Sequence, residues 1–258
     1  MHDLLTALLL GIIEGITEFL PISSTGHLLI AEHWLGARSE LFNIVIQAGA
    51  ILAVTLLYRQ RLWQLASGLH RPENRDYALK LAVAFVITAV LGLIVKKLGF
   101  ELDDAVQPIA WALIIGAIWM LAAEQVAEKK APNTNISWTA AIGVGLAQVV
   151  AGIFPGTSRS AATIFVAMLA GTSDRGAATE FAFLVGIPTM FAASGYSLLK
   201  QLHGGVSEDW SALAVAFVAA TITAFVAVKW LLGYIQTHRF TAFAIYRIVL
   251  GVSLLLFL

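Results

Sequence analysis

The chain has no cysteine, which excludes disulfides, thiolate catalysis and cysteine-ligated metals and leaves the redox compartment open. It also has little charge: 12% of its 258 residues are Asp, Glu, Lys or Arg, against 59% hydrophobic residues. A soluble domain carries about twice that share of charge, so the composition is that of an integral membrane protein. Formal net charge is zero, and no nucleic-acid or acidic-protein partner is expected from it. Nor does a basic leader precede the first apolar run. Met1-His2-Asp3 leads directly into a segment carrying Glu14 and Glu18, and the amino terminus is expected to belong to the mature fold.

What the chain does have is long apolar runs. Six of them, at roughly 42 to 58, 79 to 98, 107 to 126, 178 to 200, 211 to 232 and 241 to 258, reach the roughly 17 to 25 residues that a membrane-spanning helix needs. Two further segments, 4 to 35 and 138 to 171, have polar residues and a proline at their centres, so each reads as a helix, a break and a second helix. Non-helical backbone at membrane depth is tolerated only where protein or water surrounds it. Each break is therefore expected inside the molecule, at the tip of a re-entrant hairpin.

The two broken segments are related. A shift of 134 residues puts Gly11 on Gly145, Glu14 on Gln148, Pro21 on Pro155 and Ser24 on Ser158. The likeness continues beyond them, since Phe42 and Phe181 open matching runs, Ala84-Phe85-Val86 echoes Ala216-Phe217-Val218, and the stretch 108 to 116 faintly echoes 242 to 251. Residues 1–258 thus read as a single all-α membrane domain made of two halves, approximately 1–130 and 135–258. Each half holds one hairpin and three spans, and an odd number of crossings inverts the second half relative to the first. Arg59, Arg61, Arg71, Arg75, Lys80, Lys129, Lys130, Arg175, Lys229 and Arg239 fall on one face, and only Arg38, Lys96, Lys97 and Lys200 on the other. The positive-inside rule makes the first face cytoplasmic and puts both termini outside. Acidic Glu101, Asp103, Asp104, Glu208 and Asp209 fall on the outer face, and a short helical connection is expected near 59 to 78.

Glu14 and Glu18 are four residues apart, on one helix face just ahead of Pro21. Each charge at bilayer depth costs about 2.5 to 3.5 kcal/mol, which favours a functional role over simple pairing in the bundle. Ser23-Ser24-Thr25 stands where a new helix begins, and a helix start offers hydroxyls, free amides and the positive end of the dipole to an anion. His27, one turn on, is placed to exchange a proton with Ser24 or a ligand; the plainer alternative is an N-cap serine beside a core histidine. Thr157-Ser158-Arg159-Ser160 repeats the helix start and adds a guanidinium, whose planar fork matches phosphate oxygens. Arg159 could instead neutralise Glu14 or Glu18. Thr163 reads as a backbone-bonding helix residue, Gln47 as a cavity residue, Glu124 and Glu180 as weaker candidates at cytoplasmic helix ends where solvation accounts for them equally well, and Arg247 as a buried charge without an evident partner. Two carboxylates facing a phosphate require a cation between them, with Mg²⁺ preferred and Ca²⁺ a substitute, held by Glu14 and Glu18.

Glu14-x-x-x-Glu18, Pro21-x-Ser23-Ser24-Thr25-Gly26-His27 and Pro155-Gly156-Thr157-Ser158-Arg159-Ser160-x-x-Thr163 together resemble the signature segments of bacterial undecaprenyl pyrophosphate phosphatases of the bacitracin-resistance type. The resemblance extends over essentially the whole chain. It implies an enzyme that removes the terminal phosphate of undecaprenyl pyrophosphate, a polyprenyl lipid, and recycles the carrier for cell-wall synthesis. It implies Glu14, Glu18, Ser24, His27 and Arg159 as catalytic residues, with Ser24 or His27 as nucleophile, and a site opening to the outer face of the cytoplasmic membrane. Two rivals remain: a lipid-phosphate transporter, which also uses inverted repeats with broken helices, and the phosphatidic-acid type of lipid phosphatase. The latter fits badly, because Arg159 is followed by Ser160-Ala161-Ala162-Thr163-Ile164-Phe165 where that class carries a histidine and an aspartate. Gly and Ala richness would allow close helix contacts within one chain or in a homodimer.

Overall fold

The computed structural model describes residues 2–100, 105–203 and 209–257; Glu101, Asp103, Asp104 and Glu208, expected on the outer face, lie outside them. Among the described residues the chain forms eleven helices: α1 (His2–Thr17), α2 (Ser24–Leu35), α3 (Glu40–Leu57), α4 (Arg59–Ser67), α5 (Pro72–Lys97), α6 (Val106–Glu128), α7 (Trp138–Ile153), α8 (Arg159–Ala170), α9 (Arg175–His203), α10 (Trp210–Thr237) and α11 (Thr241–Phe257). Five of these, α3, α5, α6, α9 and α10, are long and apolar enough to cross a membrane. The sixth expected span forms as α11, whose 17 residues cover about 25 Å, slightly short of a full hydrocarbon core. The expected breaks fall at Pro21, between α1 and α2, and at Pro155, between α7 and α8.

The ends of each broken segment meet. Arg38, just past α2, pairs with Asp3 at the start of α1 at 2.6 Å. Ser137, capping α7, donates from its hydroxyl to the Ala170 carbonyl at the end of α8 at 2.8 Å. Each segment therefore doubles back on itself.

The loops assigned to one face do gather there. Arg61 reaches Glu180 at 2.9 Å, Arg175 bridges Glu124 at 2.8 Å and Glu128 at 3.0 Å, and Arg239 reaches Glu128 at 2.7 Å. Lys130 donates to the last carbonyls of α8, including that of Met168 at 3.1 Å. Glu124 and Glu180 are thus paired rather than simply solvated. Glu124 also accepts from the Phe240 amide at 3.1 Å, so a buried carboxylate here ties α6, α9 and the turn before α11 together.

Small residues set the helix contacts. α1 lies along α10, α7 along α5, and α6 against α11, while α3 packs on both α9 and α10. A Cβ added to Gly11 would run into the Ala216 carbonyl of α10, and one added to Gly145 would stand 2.8 Å from the Ala84 carbonyl of α5. These four residues are the ones that the repeat matches, Gly11 with Gly145 and Ala84 with Ala216. Thr88 seals the second contact by donating to the Gly145 carbonyl at 3.0 Å, and Gln148 donates to Thr88 at 3.1 Å.

Backbone-to-backbone approach of this kind leaves no room for a methyl group. We expect Gly11→Ala and Gly145→Ala each to destabilise the purified protein by about 1 to 3 kcal/mol through overpacking, read as a lower melting temperature in detergent. Gly92→Ala, on an open face of α5 with nothing within 4 Å, should be neutral or mildly stabilising.

Candidate active site

Both breaks end on a serine in an unusual conformation. Ser23 (φ 73°) and Ser158 (φ 66°) are the two non-glycine residues with positive φ among the described residues. Each is the N-cap of the helix that follows, its hydroxyl accepting from Gly26 N at 3.4 Å or Ala161 N at 3.3 Å. Such a left-handed position costs an L-residue about 1 to 3 kcal/mol, and sites of chemistry are where that cost is usually found. The two caps are 135 residues apart, so the repeat slips by one position through the break. Ser158 corresponds to Ser23, not to Ser24 as the 134-residue shift has it. Ser24 then corresponds to Arg159, the first helical residue of its own copy.

Ser24 donates to Glu18 Oε2 at 2.5 Å. Glu18 lies one residue beyond α1, its amide still bonded to the Glu14 carbonyl at 2.9 Å, so the acid pair keeps its helical spacing. Both carboxylates are buried, and Glu14 Oε2 has no hydrogen-bond partner among the described residues. The charges that act on Glu14 are Glu18 and Arg159. Arg159 forms no ion pair among the described residues, so its guanidinium does not neutralise either acid directly. Its five donors stay available to an anion.

His27 is held differently from expectation. Its Nδ1 lies 2.7 Å from the Ser23 carbonyl, which can only accept, so Nδ1 carries a proton. Its Nε2 lies 2.6 Å from the Tyr246 hydroxyl of α11, with the two rings nearly parallel. Neither nitrogen bonds Ser24, whose partner is Glu18. Ser160, expected at the phosphate, donates to the Leu20 carbonyl in the other break at 3.0 Å and lies 3.1 Å from Ser158 Oγ. Thr25 and Thr157 flank the two helix starts, and Thr163 bonds backward to the Arg159 carbonyl at 2.8 Å.

The partner of Arg247 is backbone. Its Nε donates to the Leu113 carbonyl (3.3 Å), Nη1 to Pro21 (3.5 Å) and Thr157 (3.1 Å), and Nη2 to Ala112 (3.1 Å) and Gly156 (3.1 Å). Five donors thus meet five carbonyls, three of them in the two breaks. The side chain is fully buried, and Gly116 leaves the space its guanidinium occupies. Tyr246 and Arg247 are the residues of the site that spacing did not place. A charge in the last apolar run was the available signal for one, and a tyrosine beside it for the other.

A divalent cation would meet two buried carboxylates here, Glu14 and Glu18. No group of three His, Asp or Glu residues comes together among the described residues, so there is no all-protein cage. Mg²⁺ commonly binds through one or two carboxylates and takes its other ligands from water and substrate phosphate. The unpartnered Glu14 oxygen beside Glu18 fits that mode.

An acid pair, a serine bonded to one of its members and two serine-capped helix starts thus lie within a multi-pass bundle of apolar helices, with a guanidinium that forms no ion pair among the described residues at the second start. The chain belongs to the bacitracin resistance protein BacA family, which it matches over residues 7–253. It is 70% identical to an undecaprenyl-diphosphatase of Rhizobium etli (strain CIAT 652) over 255 residues, covering 98% of this chain and 96% of the relative. It is 67% identical to an undecaprenyl-diphosphatase of Xanthomonas oryzae pv. oryzae (strain PXO99A) over 260 residues, covering 100% of this chain and 98% of the relative.

The strained serines give a direct test. Ser158→Gly should keep stability within about 0.5 kcal/mol, because glycine caps nearly as well and adopts positive φ freely. Ser158→Val, which loses the cap and cannot relax at that φ, should cost about 2 to 3 kcal/mol in the same thermal melt.

Proposed function

We propose that the chain hydrolyses undecaprenyl pyrophosphate to undecaprenyl phosphate and inorganic phosphate, recycling the lipid carrier for cell-wall synthesis and conferring resistance to bacitracin. Family membership and the names of the relatives support the substrate. The observation that carries the chemistry is the 2.5 Å bond from Ser24 to the buried Glu18.

In this reading Arg159 and the free amides at the starts of α2 and α8 hold the pyrophosphate, with Thr25 and Thr157 beside it. Ser24 Oγ attacks the terminal phosphorus as its proton passes to Glu18. The bond to the bridging oxygen breaks, and undecaprenyl phosphate leaves with the electron pair. Water then attacks the phosphoserine, Glu18 returns its proton to Oγ, and phosphate leaves carrying both hydrogens of the water. Glu14 and Glu18 would hold a divalent cation, Mg²⁺ in preference to Ca²⁺, which would offset charge on the phosphate oxygens. A carrier needs no hydroxyl bonded to a base, so the Ser24–Glu18 pair favours hydrolysis over transport alone.

The same reading takes the two broken segments as re-entrant hairpins and the halves as an inverted repeat. The exchange of partners, α1 on α10 matched by α7 on α5, supports it, as does the meeting of each segment's ends. The basic loops lie on the cytoplasmic side of the inner membrane in this reading, with both termini and the site opening toward the outer face. Single cysteines in this cysteine-free chain test the orientation: Arg71→Cys should resist an impermeant maleimide added to intact cells, and Asp209→Cys should react.

Purified protein in detergent should release phosphate from the pyrophosphate lipid with no gradient present, and chelation of divalent cations should slow release at least about tenfold. Rapid quenching should trap phosphate on Ser24. Stable phosphate on His27 would overturn the assignment of the nucleophile. Glu18→Gln should lower turnover by about 10² to 10⁴-fold, as removal of a general base does, in a protein that still folds.

A further inference from the structure

The duplicated half supplies an internal control for the environment of His27. With the caps Ser23 and Ser158 in register, the same 135-residue spacing joins Gly116 to Gly251, the glycines at which α6 and α11 approach each other. Under that register His27 corresponds to Ala162, Tyr246 to Trp111 and Arg247 to Ala112. Trp111, Ala112 and Ala162 line an apolar cavity of about 520 Å³ between α6, α7 and α8. Where the imidazole is missing the phenol hydroxyl is missing too, although a large aromatic ring is kept. The hydroxyl goes with the histidine, not with packing between the helices.

The geometry gives the hydroxyl a specific task. A neutral imidazole has one donor and one acceptor nitrogen, and the Ser23 carbonyl fixes Nδ1 as the donor. Nε2 is left with its lone pair, and the Tyr246 hydroxyl donates to it at 2.6 Å. Tyr246 is half-exposed, at 44%, whereas its neighbour Arg247 is fully buried, so packing alone would be served as well by phenylalanine. His27 lies in the first turn of α2, three residues from Ser24, and its ring braces the carbonyl of the strained cap. A tether at both ring nitrogens therefore fixes the rotamer of His27 and the helix start that presents Ser24.

We propose that Tyr246 is a positioning residue of the phosphatase site, its hydroxyl donating to His27 Nε2 and so fixing the ring that braces the Ser23 carbonyl and the helix start that presents Ser24. The inference rests on the proposed phosphatase site, which His27 serves by bracing the helix start that presents Ser24. Consecutive residues of α11 then brace the site in two ways: Arg247 holds the backbone of the breaks, and Tyr246 holds the side chain that follows the first of them.

The test is a double-mutant cycle on purified protein in detergent. Tyr246→Phe keeps the ring and removes the hydroxyl, and should lower kcat about tenfold, the effect of losing one hydrogen bond that positions the site, with KM within about twofold. In a His27→Gln background the same substitution should change kcat by less than about twofold, since nothing is left to position. The ¹⁵N spectrum of the His27 ring, assigned by difference against His27→Gln, should show Nδ1 protonated in both proteins and the Nε2 resonance moved toward that of a free, unbonded imidazole nitrogen in Tyr246→Phe. An equal loss in both backgrounds, no loss in the native background, or an unchanged ring spectrum would overturn the proposal. Native turnover in His27→Gln alone would overturn the reading of the site on which it rests. Where His27→Gln is too slow for steady-state work, single turnover with excess enzyme and the ring spectrum decide.

Discussion

One guanidinium holds this site together. A broken helix at membrane depth leaves carbonyls that water cannot reach, and each costs several kcal/mol if unpaired. The structure meets this by sending Arg247 from α11 to three break carbonyls, those of Pro21, Gly156 and Thr157, and to two of α6. Only arginine has five donors in a planar fork, so lysine could satisfy no more than three of these acceptors. The two helix starts sit within three residues of a carbonyl so held: Ser23 and Ser24 follow Pro21, and Ser158 and Arg159 follow Thr157. The Ser160 hydroxyl adds a direct tie from the second break to the first at Leu20. Gly116 is small because the guanidinium occupies the space a side chain would take.

The two breaks share a backbone and divide the chemistry. In both, a serine with positive φ caps the new helix, and the residue after it is the first helical position. That position is Ser24 in one copy and Arg159 in the other. In the proposed mechanism a nucleophile and an anion clamp thus occupy the same place on two helix starts, each beside free amides and the positive end of a helix dipole. The acids diverge likewise. Both Glu14 and its counterpart Gln148 keep a buried side-chain oxygen without a partner among the described residues, but Gln148 is an uncharged amide that also donates to Thr88.

Much of this was legible in the residues. Apolar run length gave five of the six expected spans at full length, and a proline followed by hydroxyls gave the breaks, because few other arrangements satisfy backbone in lipid. The spacing of Glu14 and Glu18 placed both acids on one face, as found. The partner of Arg247 was not legible, because it is a set of carbonyls from three distant segments, and carbonyls carry no sequence signature. Tyr246 was missed for a related reason: a tyrosine in an apolar helix reads as packing until its hydroxyl is seen to have one partner. The one-residue slip between the copies was hidden because Pro21 and Pro155 align at 134, whereas the caps align at 135. Glu124 and Glu180 looked solvated because ion pairs between loops depend on which helix ends the fold brings together.

The central claim is that Arg247 keeps the two helix starts close enough to share one pyrophosphate. Because the native chain has no cysteine, Thr25→Cys and Thr157→Cys can be introduced together and spin-labelled without background. The continuous-wave spectrum in detergent should show strong dipolar broadening that is lost when Arg247→Met is added. An unbroadened spectrum in the presence of Arg247, or broadening that survives its removal, would contradict the account.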